Sequence, residues 1–209
     1  QKISDVKKRH KTPILVGGTG LYFKALTEGL VSFPKIPLQF RKKIRNLHKK
    51  LGPKNFFLRL IKEDPLAQNH IIPSDSQRAI RAFEVKLFTK KSMYEWFKNT
   101  KSDYEKEDFY RIYIDFPRNE LLIRISNRTK QMIKNGAINE VRKFLKLNVS
   151  KEKSVNKAIG IQEIKDFLNK KIEIEDVIEK ISIKTRQYAK RQSTWGRGNM
   201  SDWNKINPK

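Results

Sequence analysis

Apolar positions recur along the chain in blocks, and the spacing within each block predicts its element. Pro13-Ile14-Leu15-Val16 is a short unbroken apolar run. Gly17-Gly18-Thr19-Gly20 follows at once, and Leu21–Leu26 then has helical character. This predicts strand, glycine turn and helix, the repeating unit of an α/β sheet. Between about 34 and 110, prolines at 34, 37, 53, 65 and 73 punctuate segments of helical periodicity. Phe40–Leu51 predicts a basic helix. Asn55–Ile61 predicts a second, with Phe56, Phe57, Leu60 and Ile61 to one side. Ser74-Asp75-Ser76 offers N-caps for a third over Gln77–Phe88. Arg111–Phe116 alternates and stops at Pro117, the second strand. Asn119–Leu147 is a long helical pattern with a break expected near Gly136. Leu122, Ile133, Ala137, Val141 and Phe144 fall on one arc of it. Asn156–Asn169 and Ile174–Trp195 complete the helices.

The expected fold class is therefore α/β with an all-helical insert. The insert is placed at 35–110, between core segments at 1–34 and 111–209. There are no internal repeats and no low-complexity tract.

Charge changes this picture most. Lys plus Arg is 47 and Asp plus Glu is 22 in 209 residues, a formal charge of +25. Self-repulsion of that size opposes compaction, and a polyanion relieves it. Nucleic acid is the leading partner class, an anionic membrane surface the second, and a merely solvated basic surface the third. No apolar run approaches the ~18 residues of a membrane span. The absence of cysteine excludes disulfides, thiolate metal sites and a cysteine nucleophile. Histidines only at 10, 48 and 70 argue against a histidine-rich metal site. The polar, basic opening Gln1–Lys11 has no signal-peptide core; it reads as a chain entered through the end of a helix.

Four constellations could carry chemistry. Gly17-Gly18-Thr19 stands where a helix N-terminus favours an anion, although glycines also serve close packing. Arg81 and Glu84 share a helical face with the spacing of a salt bridge. Arg124, Arg128, Met132, Gly136 and Glu140 recur every four residues. Arg128 is expected half-buried on the flank of Leu121, Ile125 and Met132, needing a carboxylate or a phosphate as partner. In the last helix Ile174, Val177, Ile178, Ile181, Tyr188 and Trp195 project to one face, and Arg186, Lys190 and Arg197 to the other. From Lys180 to Ser201 there are six basic residues and no acidic one. That is a basic stripe backed by a core face, as a polyanion-binding helix requires.

Taken in order, four blocks become specific together: Pro13–Tyr22, Asp75–Glu84, Pro117-Arg118 with the four-residue series through Glu140, and Ala158-Ile159-Gly160 with Thr185–Trp195. The combination resembles the tRNA dimethylallyltransferase (tRNA isopentenyltransferase) family over nearly the whole chain. The resemblance implies a P-loop-NTPase-like parallel-sheet core with the helical insert. It implies transfer of a dimethylallyl group from dimethylallyl diphosphate to the exocyclic amine of adenosine 37, beside the anticodon, in a cytoplasmic, monomeric enzyme. A stacked base cannot present its amine to an electrophile, so the adenine must be flipped out. The amine needs a base, and the departing diphosphate needs Mg²⁺ and fixed cations. By motif position Arg128 becomes a catalytic, diphosphate-binding arginine, with Gly17 and Gly18 also at the diphosphate. Thr19 touches the reacting adenosine. Contacts to the tRNA anticodon stem-loop fall to Arg41, to Gln77, Arg78, Ala79, Ile80 and Arg81, and to Ala158, Ile159, Gly160, Ile161, Gln162 and Glu163. They fall also to Arg186, Lys190, Arg191, Gln192, Ser193, Thr194, Trp195, Gly196 and Arg197.

Some features depart from the family pattern. Its P-loop and the aspartate serving as base match nothing here, so the parallel core is expected to be incomplete, the chain truncated and inactive alone, and the Mg²⁺ ligands outside it. Ile161 stands where tyrosine is frequent, and Gly196 where a large residue is common. The rival readings are an RNA-binding module without catalysis and a fragment of a P-loop kinase; the latter leaves the basic last helix unexplained.

Overall fold

The computed structural model describes residues 2–150 and 153–208, without the side chain of Lys106. Its elements in chain order are α1 (Lys2–Lys8), α2 (Gly20–Thr27), α3 (Leu38–Glu63), α4 (Ser76–Thr89) and α5 (Met93–Phe97). They continue as β1 (Ile112–Ile114), α6 (Arg118–Lys134), α7 (Ala137–Lys146), α8 (Ile161–Leu168), α9 (Ile174–Asn199) and β2 (Asn204–Ile206). The chain divides into two units, residues 21–109 and residues 1–20 with 110–209. The sequence pattern placed these divisions at 34/35 and 110/111. Gln1, read as part of an entering helix, lies outside the described residues.

In the 21–109 unit α3 packs on α4. α3 combines the two expected helices, broken where Gly52 adopts φ 73°. Pro53 follows, where a second helical segment can start without the N–H that proline lacks. The core contains Phe56, Leu60, Ala82, Phe83 and Val85, all at most 1% exposed. Phe56 and Phe83 meet edge to face with centroids 5.1 Å apart, a favoured aromatic geometry. Asp75 caps α4 by accepting from the Arg78 N–H at 3.0 Å. Asp64, at the end of α3, is buried and accepts from the Ser92 hydroxyl at 2.8 Å. Ser92 and Glu95 form the capping box that starts α5.

In the other unit α6 packs on α9, and α8 packs on both α7 and α9. Ala137, Val141, Ile164, Val177 and Ile181 form its core. The break near Gly136 is present: this glycine has φ 99° and separates α6 from α7, a left-handed conformation costly for other residues. β1 and β2 pair in parallel, Tyr113 opposite Lys205. The architecture is helix-rich α/β with a small parallel sheet.

Two expected elements differ. Pro13–Val16 has no regular secondary structure and pairs with no strand among the described residues, and Ile14 and Val16 are 84% and 91% exposed. A strand is defined by its ladder partners, and local β-propensity cannot supply them. The helix expected over Asn156–Asn169 is interrupted. A 3-10 turn covers Ser154–Lys157, and α8 starts only at Ile161. The chain leaves helical geometry at Ala158, which is extended with ψ 137°, and Gly160 follows with φ 105°.

Candidate nucleic-acid and diphosphate site

The glycine loop and the last helix come together in the unit formed by residues 1–20 and 110–209. The Gln192 side-chain amide donates to the Gly18 carbonyl at 2.8 Å, across 174 positions of sequence. A Cβ on Gly18 would lie 2.2 Å from that amide nitrogen. A Cβ on Gly20 would lie 2.0 Å from the Trp195 ring. Neither glycine has the positive φ that only glycine tolerates well; at Gly18 the neighbour is the flexible end of Gln192, which can swing away, whereas at Gly20 it is the indole ring itself. Thr19 lies exposed between these two contacts, and Gly17 is also exposed. Close packing thus accounts for Gly20, while Gly17 and Gly18 are exposed and open to an anion. Gly20→Ala should cost about 1–3 kcal/mol, because the indole must leave its seat. Chemical denaturation followed by tryptophan fluorescence will show the lower midpoint; an unshifted midpoint would mean that the indole relocates freely.

α9 is buried at Val177, Ile181 and Ser182, and again at Gly196. Between these ends Arg186, Lys190, Arg191 and Thr194 are exposed, as is Arg197 beyond them. Gln192, Ser193 and Trp195 are half-buried. None of the four basic residues pairs with a carboxylate among the described residues. The stripe expected from helical geometry therefore forms. Tyr188 was expected in the core but is 42% exposed, because the buried face lapses there. The Arg191 guanidinium stands 5.7 Å from its ring centroid. Gly196 packs under the Tyr113 ring, where an added Cβ would lie 2.6 Å from a ring carbon.

Arg128 corrects an expectation. It is exposed rather than half-buried. The buried residues of α6 are Ile125 and Thr129, so Arg128 leaves the helix off that line and its long stem reaches solvent. It has no hydrogen-bond or carboxylate partner among the described residues. A free guanidinium in solvent is available to an anion. Nearby on the same helix Arg124 stands 4.4 Å from the Phe116 ring centroid, a cation–π contact that the sequence pattern did not indicate.

The 158–163 block divides. Ala158, Ile159 and Gln162 are exposed, Ile161 packs against the core, and Gly160 and Glu163 are buried. The Glu163 carboxylate is committed internally: Oε2 accepts from the Gly160 N–H at 2.9 Å and Oε1 pairs with Lys184. It thus closes the loop before α8 rather than facing solvent as a direct contact. Burial pushes its pKa up. The Lys184 hydrogen bond, then the backbone N–H groups of 163 and 160, outweigh that and hold it below the ordinary glutamate value. A depressed native pKa stabilises the fold above the unfolded-state pKa, and the gain disappears as pH falls through the native value. Glu163→Gln should cost about 1–2 kcal/mol near neutrality. Urea titrations of both proteins should converge as the pH drops below that of an ordinary glutamate; a constant gap would deny the linkage.

The 21–109 unit holds the remaining predicted contacts. Gln77 and Arg78 are exposed, Ala79 is buried, and Ile80 and Arg81 are intermediate. Ala79 therefore offers the core its methyl group and can offer a ligand no side chain. Arg78 pairs with Asp75 at 3.0 Å. The expected Arg81–Glu84 pair forms at 3.4 Å, but Glu84 is 1% exposed and so is no ordinary surface partner. Arg41 joins it at 3.3 Å. Among the described residues no group of three or more His, Asp or Glu could hold a metal ion. No described helix is long and apolar enough to cross a membrane.

Against known proteins, the family model described as IPP transferase matches residues 1–199. A tRNA dimethylallyltransferase of Pelagibacter ubique is 51% identical over 208 residues, covering 100% of this chain and 66% of the relative. One from Agrobacterium fabrum is 38% identical, covering 99% of this chain and 70% of the relative. A crystal structure of the Staphylococcus epidermidis tRNA isopentenylpyrophosphate transferase is 30% identical with a TM-score of 0.57, covering 99% of this chain and 66% of that one. A eukaryotic dimethylallyltransferase captured acting on tRNA gives a TM-score of 0.69 at 26% identity, over 93% of this chain and 50% of that one. This chain belongs to the IPP transferase family. It spans about two thirds of the length of the Pelagibacter relative.

Proposed function

We propose that the chain is part of a tRNA prenyltransferase that moves a dimethylallyl group from dimethylallyl diphosphate to the exocyclic amine of adenosine 37. The observation that carries this reading is the 51% identity, along the whole chain, to a protein named tRNA dimethylallyltransferase. The join of the glycine loop to a helix with unpaired cations supports it. In the reaction the adenine nitrogen forms a bond to the allylic carbon as the carbon–oxygen bond breaks. The diphosphate leaves with the electron pair, and the amine loses a proton to a base. Arg128, exposed and unpaired, receives charge that grows on the departing diphosphate. Thr19, held between two helix contacts, faces the adenosine. Arg186, Lys190, Arg191 and Arg197 meet the phosphate backbone. The reading includes a P-loop-like parallel core with the helical unit as its insert, action as a monomer, and the cytoplasm as the place where its tRNA is met. The reading also includes Mg²⁺, which would supply positive charge to the departing diphosphate.

The test is transfer of labelled dimethylallyl groups by the intact protein to an anticodon stem-loop with adenosine or guanosine at position 37. Label on the adenosine form alone is the expected result. Tight stem-loop binding without label on either would leave an RNA-binding protein on a transferase scaffold.

A further inference from the structure

The interaction of Glu84 is larger than the helical pair that its spacing suggests. Its carboxylate is 1% exposed and faces three guanidinium groups. Oε2 accepts from Arg41 Nε at 3.3 Å and Arg81 Nη1 at 3.4 Å. Oε1 faces Arg45 Nε at 3.9 Å and accepts no hydrogen bond among the described residues. Arg41 and Arg45 lie one turn apart on α3; Arg81 and Glu84 lie one turn apart on α4. The Arg81 guanidinium also stands 5.0 Å from the Phe33 ring centroid, which fixes it from a second side.

Stability does not account for this arrangement. Burying a carboxylate costs several kcal/mol, and an oxygen left without a hydrogen bond recovers little of it. Three cations on one anion leave two positive charges in excess. Those charges are not hidden: the side chains of Arg41, Arg45 and Arg81 are 36%, 57% and 38% exposed. A buried anion thus gathers three guanidinium groups whose side chains stay partly open to solvent. Such forks match phosphate oxygens in geometry as well as charge.

We propose that Glu84 is a positioning residue for RNA binding: its buried carboxylate presets Arg41, Arg45 and Arg81 as one three-guanidinium seat for a backbone phosphate. The proposal rests on the reading of this chain as tRNA-binding. It adds Arg45 to the contact set and gives Glu84, which touches no RNA, its role.

The experiment compares wild type, Glu84→Gln and Arg45→Gln for binding a fluorescent anticodon stem-loop across a potassium chloride series, with thermal unfolding in parallel. Glu84→Gln removes one negative charge, so simple attraction predicts tighter binding. Loss of preset geometry predicts the opposite sign: about tenfold weaker binding by protein that is still folded. Arg45→Gln should also weaken binding and lower the salt slope by about one phosphate contact. Binding by Glu84→Gln equal to or tighter than wild type overturns the positioning role. If Glu84→Gln does not fold, Arg45→Gln decides, and an unchanged salt slope overturns the seat. Failure of wild type to bind the stem-loop overturns the tRNA reading and the seat with it. Wild-type binding with unaffected variants overturns the seat alone.

Discussion

Arg128→Ala should lower the rate of prenyl transfer by about 10²–10³-fold, the effect of removing one fixed donor to developing charge. It should do so at almost no cost in stability. Arg128 is exposed, and no described residue pairs with it, so its removal opens no cavity and orphans no buried group. Surface changes of that kind usually stay within about 0.5 kcal/mol. Affinity for the stem-loop should change little, because the charge it meets grows only as the diphosphate departs. The measurement is single-turnover transfer by the intact protein at saturating stem-loop, with a thermal melt alongside. Lost tRNA affinity with an unchanged rate would move Arg128 from the diphosphate to the RNA backbone.

Phe56→Ala has the reverse signature. Phe56 is fully buried and meets both Phe83 and His48 edge to face, at 5.1 and 4.9 Å. Its removal should cost about 3–5 kcal/mol, the transfer free energy of the ring plus the cavity left between α3 and α4. Those two helices carry the arginines and the carboxylate of the proposed seat. The damage should therefore reach RNA binding through the scaffold. Hydrogen exchange should show lost protection within residues 21–109 and much less change in α6 to α9. Uniform loss over the whole chain would mean that the two units unfold as one.

Local features of this molecule were legible, and long-range ones were not. The spacing of Phe56, Phe57 and Leu60, the Asp75 cap and the stop at Gly136 each act within a few residues, and each appears in the structure. Pro13–Val16 has the composition of a strand but no strand partner among the described residues. The break at Ala158 and Gly160 was hidden because non-helical residues leave no trace in the periodicity of their neighbours. The site shows the same divide. Arg81 and Glu84 were readable as a pair three residues apart, whereas Arg41 lies 43 positions from Glu84. Nothing local announces that meeting. The Gln192 bond to Gly18 is more distant still. Burial was the other blind spot: helical angle placed Arg128 beside an apolar arc, but angle does not report how far a long side chain extends.

The contact between Gly196 and Tyr113 couples two distant positions of this chain. The phenol ring occupies the space that a side chain at 196 would fill. The two positions therefore share one volume, and a side chain added at 196 must move the ring. The small residue on α9 and the large aromatic on β1 are two halves of one packing contact. A larger residue at 196 would have to displace the Tyr113 ring from its seat, so these two places on α9 and β1 answer to one another although 83 positions separate them in sequence.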